Sequence, residues 1–256
     1  MREIPAGHYI SGSTKEERAA AYDDYQRTSG NDAARNNKWF HRESWRARRK
    51  LSRFTIDLSP VTHAAYAEFV ADTRRQPPRI DAKAWAAQGF NQDYEKHVKR
   101  LNWTDAGPPP ARADHPVLLV THQDAVDYCT WRGNVTGTPT RLPTAGEYEK
   151  ASRGEHGLFY PWGNDWDKTK LHSGLTDPDD TVSVGGHPQG KSPYGVLGLA
   201  GNVFQWTSTP WQGKPGVMTV KGSAWEDHAG LGRGASQHGR KVTIRHAIVG
   251  FRCAAN

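Results

Sequence analysis

Residues 195–208 read GVLGLAGNVFQWTS. Gly195, Gly198 and Gly201 permit tight turns and close backbone approach just ahead of an apolar and aromatic run ending at Trp206. Three further blocks flank this one: TRLPTAGEYEKASRG at 140–154, FYPWGNDW at 159–166, and VKGSAWED…VGFRCA at 220–254. Thr144 with Glu147 three positions on is a capping box that predicts a helix over AGEYEKASRG. Trp162, Trp206 and Trp225 are large enough to fill a core poor in aliphatics, and their indole N–H groups need loop carbonyls as partners. On physical grounds alone these motifs are scaffold, and they leave the chemistry open.

Outward from these blocks the signals weaken. Residues 1–13 read as a strand and turn, and Phe54, Ile56 and Leu58 share one face of a strand by period two. Thr62 caps a predicted helix through AAYAEFVADT, with Tyr66, Phe69 and Val70 inward. Residues 74–114 read as Pro- and Trp-containing loop, with PPP at 108–110. HPVLLV at 115–120 reads as a short buried strand, followed by Thr121 as the cap of a helix HQDAVDYCTWRG. The expectation is one compact domain over 1–256, with three short helices, many short strands and a basic polar insertion at about 14–50.

Apolar residues make up 36% of the 256 positions, below the ~45–50% of a typical domain, but ten Trp, nine Tyr and seven Phe argue against wholesale disorder. No window approaches 18 consecutive apolar residues, which excludes a transmembrane helix. MREIPAGHYI lacks the apolar core of a signal peptide. A native Met1 therefore predicts a cytoplasmic protein, and a removed leader a periplasmic or secreted one. Of the +7 net charge, much sits between Arg35 and Arg53, where eight Lys/Arg face only Glu43. Trp39, Phe40 and Trp45 interleave with that run, so it reads either as a solvated arm whose aromatics pack on the body or as a grip for an acidic ligand. No nucleic-acid module surrounds it. Only Cys129 and Cys253 are present, without CxxC, which excludes thiolate zinc and thioredoxin-type motifs and leaves two buried thiols or one long-range disulfide.

Taken in order, the four blocks, with IPAGHYISGS at 4–13 and FTIDLSPVTHAAYAEFV at 54–70, closely resemble the formylglycine-generating enzyme (sulfatase-modifying factor) family. That family is related to ergothioneine-type sulfoxide synthases and pyoverdine-maturation proteins. The resemblance spares mainly 14–50 and 74–110. It implies an α+β, C-type-lectin-like fold with few short helices and much irregular loop. It also implies a disulfide between Cys129 and Cys253, because DYCTWRG and GFRCA carry them where many members join a helix to the last strand.

The departure lies after the G-S-aromatic motif, where family members use two cysteines to bind copper and handle the substrate thiol. Here GSAWEDHAGLGRGASQHGRK contains none. Asp227 stands near the first position, and the second falls within His228 to Gly232. Cu(I) prefers thiolate, and neither carboxylate nor glycine replaces it. Conversion of a peptide cysteine to formylglycine by that mechanism is therefore not expected. The sulfoxide-synthase iron motif H-x3-H-x-E is also missing. Gln205 replaces the acid of GN-x-x-E-W, so a calcium ion there would be held more weakly. Asp177, Asp179 and Asp180 form either an oxygen cluster or a solvated turn.

What is left at that site is Glu226, Asp227 and His228 as candidate catalytic groups, with a carboxylate as base and His228 as partner. Trp206, Trp211 and Trp225 are candidate substrate-binding walls. His228, His238 and His246 are candidate ligands of iron or copper, and Gln205 of structural calcium. Analogy with the pyoverdine-maturation branch implies oxidative tailoring of a peptide-like or aromatic small molecule. The rival class is a non-catalytic lectin-like module for an acidic peptide or glycan, and a third is a structural partner with a large apolar patch.

Overall fold

In the computed structural model, which describes residues 1–90, 92–176 and 179–256, side-chain caps set most helix starts. Strands β1 (Arg2–Ile4) and β2 (Gly7–Ser11) lead to α1 (Lys15–Ser29), opened by a Thr14/Glu17 capping box. Helix α2 (Ala33–Asn36) and a 3-10 turn (Trp39–Arg42) precede β3 (Ala47–Leu51) and β4 (Phe54–Ile56). Helix α3 (His63–Thr73) is capped by Thr62, and α4 (Ala82–Ala87) by Asp81. Helix α5 (His122–Thr136) starts at a Thr121/Asp124 box, and α6 (Ala145–Arg153) at the Thr144/Glu147 box. The remainder is loop and strand: β5 (Phe204–Pro210), β6 (Val217–Lys221), β7 (Gln237–Lys241), β8 (Val249–Phe251) and β9 (Ala254–Ala255).

The strands form three small sheets, ordered β1-β4-β9, β2-β3 and β7-β6-β5-β8. All pairings among these strands are antiparallel except β5 with β8. The main core packs α3 and α5 against β5 and β8, through Tyr66, Phe69, Tyr128, Trp206 and Phe251. Cys129 of α5 and Cys253 beside β9 form the disulfide, pinning the helix to the end of the chain.

Several expectations change on contact with the fold. Within residues 14–50, Ala21, Tyr22, Tyr25, Ala34 and Phe40 bury one another together with Leu231, so aromatics of this stretch pack on the body. Gly230 makes this docking possible, since its φ of +88° and a Cβ only 2.5 Å from the Ala21 carbonyl leave room for glycine alone. The 74–114 stretch contains α4, because Asp81 caps AKAWAA and Trp85 buries beneath it. The run 115–120 is buried but is not a strand: Leu119 has φ +57° and hydrogen-bonds to the His246 carbonyl, breaking any ladder. Strand β4 stops at Ile56, where the Asp57 carboxylate takes the Cys253 N–H and Arg132, leaving Leu58 39% exposed. Six α-helical segments, instead of three, occur among the described residues.

Candidate functional site

Several separate stretches of chain meet around a cleft of about 550 Å³. The first contributes Trp39 and Arg42, the segment after α4 Phe90 and Gln92, the loop after β6 Glu226 and Asp227, and β5, β7 and the approach to β8 Phe204, His238, Arg240 and His246. Local hydrogen bonds fix the acidic corner. The Ala224 N–H donates to Asp227 Oδ2 at 2.7 Å, the Asp227 N–H returns to the Ala224 carbonyl, and the Gly174 N–H donates to the Asp227 carbonyl. Gln92 Nε2 donates to Glu226 Oε1 at 2.9 Å at the mouth.

Burial is the main cause of the cleft's electrostatics. It pushes the Asp227 carboxyl up to about 7 with help from the Glu226 charge, against the pull of the Ala224 N–H. The Glu226 carboxyl is also raised by desolvation, opposed by Gln92. Burial, then the charges of Arg240 and Arg42, lower His238 to about 3, so its imidazole is neutral. Burial and Arg240 likewise take His246 well below its ordinary value. Aromatic rings complete the walls: Phe204 and Trp39 meet His238 edge-on at 5.3 and 6.4 Å, and Phe90 lies 3.9 Å from His246.

Glu226, Asp227, His238 and His246 thus come together, whereas His228 turns to the N-terminal helix and meets Tyr25 edge-on at 5.7 Å. Among the described residues no group of three or more His, Cys, Asp or Glu is arranged to hold a metal ion, so His228, His238 and His246 do not form a ligand set. The three tryptophans lie apart from the cleft walls. Trp206 is fully buried with its indole N–H on the Val120 carbonyl, Trp225 is buried in the same core, and Trp211 packs on Gly239. Asp177 lies outside the described residues; Asp179 is 3.6 Å from His97, and Asp180 pairs with Arg112 and Arg100. A larger hollow of about 760 Å³ includes Arg79, Lys99 and Arg245, each already paired with a carboxylate. Trp39 and Arg42 belonged to the basic aromatic run visible in the sequence, and Phe204 and Arg240 lay inside quoted stretches without being singled out, whereas Phe90 lay outside them all.

The family model for the sulfatase-modifying factor enzyme 1-like domain matches residues 4–256. The chain belongs to this family. Its C-type-lectin-like fold is that of PvdO from Pseudomonas aeruginosa, with a TM-score of 0.72, 16% identity, and coverage of 99% of this chain and 93% of PvdO. The inactive C-alpha-formylglycine-generating enzyme 2 of Bos taurus is 31% identical over 242 residues, 79% of this chain and 77% of its own. The hercynine oxygenase of Mycolicibacterium smegmatis is 31% identical over 180 residues, 65% of this chain but 40% of that protein.

The family's metals fit these residues poorly. Both cysteines are spent in one disulfide, so no thiolate is available to copper. Gln205 is buried with its amide fully used: Oε1 accepts from Arg252 Nε at 2.6 Å, while Nε2 donates to the Gly198 carbonyl and the Tyr148 hydroxyl. A guanidinium therefore occupies the position facing the oxygen that would have to ligate calcium.

Proposed function

We propose that this sulfatase-modifying factor relative binds a peptide-like or aromatic metabolite in the cleft at Asp227 and serves its oxidative tailoring, and does not convert peptide cysteine to formylglycine. The observation that carries this reading is the Asp227 carboxyl itself. It lies near the position where the family places a thiolate, and burial brings it to about 7, where it exchanges a proton near neutral pH. In this reading Trp39, Phe90 and Phe204 hold the flat body of the substrate, and Asp227 takes a proton from it. Glu226, tethered by Gln92, orients the acidic corner at the cleft mouth. The electron pair of the oxidation goes to dioxygen, supplied as co-substrate and reduced to peroxide, because the cleft's own side chains supply no acceptor.

A non-catalytic binding role is the second reading, and the likeness to the bovine inactive C-alpha-formylglycine-generating enzyme 2 favours it. One experiment separates the two. Aromatic amino acids and short peptides are screened by thermal shift, and each hit is incubated aerobically and analysed by mass spectrometry. An enzyme gives a product of altered mass, with a pH–rate midpoint near 7 that Asp227→Asn removes. Hits without product support the binding role. A product formed equally well by Asp227→Asn would eliminate Asp227 as the proton acceptor.

A further inference from the structure

The cleft holds two guanidinium groups that the acid–base reading leaves without a task. Elsewhere the arginines near this region are matched: Arg233 pairs with Glu43, and Arg245 with Asp124. Arg42 and Arg240 are in no ion pair among the described residues, although Glu226 and Asp227 line the same cleft. The reason is local. Glu226 is turned to Gln92, and an Asp227 oxygen is held by the Ala224 N–H. The Arg240 side chain donates only to its neighbour's carbonyl, Gly239, and its Nε has no partner at all. It lies 6.0 Å from the Phe204 ring centre, so a flat apolar wall adjoins the positive charge. Arg42 comes from a different element, the 3-10 turn at 39–42, and its carbonyl accepts from Gln237 Nε2 of β7.

Arg240 feels the charges of Asp227 and Glu226 across the cleft but pairs directly with neither; its planar fork, left without a bidentate partner, matches the two oxygens of a carboxylate. We infer that the cleft selects an aromatic ligand bearing a carboxylate, with Arg240 and Arg42 receiving the acid and Phe204, Trp39 and Phe90 receiving the ring. This rests on reading the cleft as the ligand site, and it adds the charge of the ligand. Arg240 and Arg42 are here specificity-determining groups, distinct from the proton acceptor.

The test is calorimetric titration of the full chain with indole-3-acetate and with its neutral isostere indole-3-acetamide. The acid should bind at least about tenfold more tightly than the amide. Arg240→Gln should bring the two affinities close together, Arg240→Lys should keep part of the difference, and Arg42→Gln should narrow it. Because Arg42 is exposed, its variant keeps the inference testable if Arg240→Gln fails to fold. Equal affinity for acid and amide in the unaltered protein overturns the inference, and so does an acid preference that survives when Arg240→Gln and Arg42→Gln are combined. In either case, amide binding that is lost in Phe204→Ala preserves the cleft as the ligand site. Failure of both probes to bind at about 20 mM, far weaker than any functional affinity, overturns both readings. Inorganic phosphate competing as well as the aromatic acid would refute the aromatic half.

Discussion

At Asp227, burial and Glu226 favour the protonated carboxyl, while the Ala224 N–H favours the charged one, and burial wins. This has a consequence for stability. The folded group titrates at about 7 against an ordinary 3.8, so between those pH values the folded state holds the proton that the unfolded state has lost. Stability from this group is therefore full below about pH 4 and falls as pH rises through 7, by on the order of 4 kcal/mol. Asp227→Asn should flatten that slope in urea denaturation measured across pH, and a slope identical to wild type would show that Asp227 ionises freely. His63 acts with the opposite sign. Its Nδ1 faces Trp103 Nε1 at 2.9 Å, and burial lowers its titration to about 3. The unfolded chain therefore takes up a proton first as pH drops below about 6.5, and His63→Gln should soften the acid limb of the same curve. The tryptophans show why single residues were only partly legible. A Trp beside a Gly-rich turn marks something large that must be enclosed, and nothing in its spacing says whether by protein or by ligand. Trp206 and Trp225 are enclosed by protein, and the walls fall to Phe90, which lies outside every block, and to Phe204, an unremarked position inside GVLGLAGNVFQWTS.

Among the elements, the caps were the most legible because they are local: a Thr three positions before a carboxylate satisfies backbone donors whatever the rest of the chain does. Thr144→Ala should cost about 1 kcal/mol of stability and fray the first turn of α6, which amide exchange at Ala145–Glu147 would report. The arm before β3 was least legible, since its charges read as solvated while its fixing is tertiary. Glu43 sits buried against Arg233 and Ser13, and Arg18 donates to the Glu43 carbonyl. Glu43→Gln leaves Arg233 buried without its counter-charge and should cost about 3 kcal/mol. Amide exchange over residues 36–46 should accelerate with it, and ligand affinity should fall, because Trp39 and Arg42 ride on this turn. Unchanged exchange there would mean that the aromatic cluster around Phe40 holds the turn without the ion pair. The 115–120 run misled for the same reason as the arm: an apolar run signals burial, and only the tertiary partner of Leu119 decides against a strand.

Over the whole molecule, the disulfide closes a sequence separation of 124 residues. Replacing Cys129 and Cys253 together by Ala should lower stability by about 4–5 kcal/mol on the chain-entropy estimate, as should dithiothreitol in guanidinium denaturation. Equal midpoints for reduced and oxidised protein would show the native packing to be sufficient by itself. No helix among the described residues is long and apolar enough to cross a membrane, so membrane attachment through such a span is excluded for them. The same region of sequence that carries Cys253 has a further consequence, for the protein as it is being made. Strand β8 closes the edge of its sheet by pairing with β5, β9 completes the sheet begun by β1 and β4, and Arg252 holds the carbonyls of Asp57, Leu197 and Gly198. These contacts all wait for residues 249–255, which leave the ribosome after everything they hold together. A chain lacking residues 249–255 would present an open β5 edge and an uncovered aromatic core, making it a client for holdase chaperones.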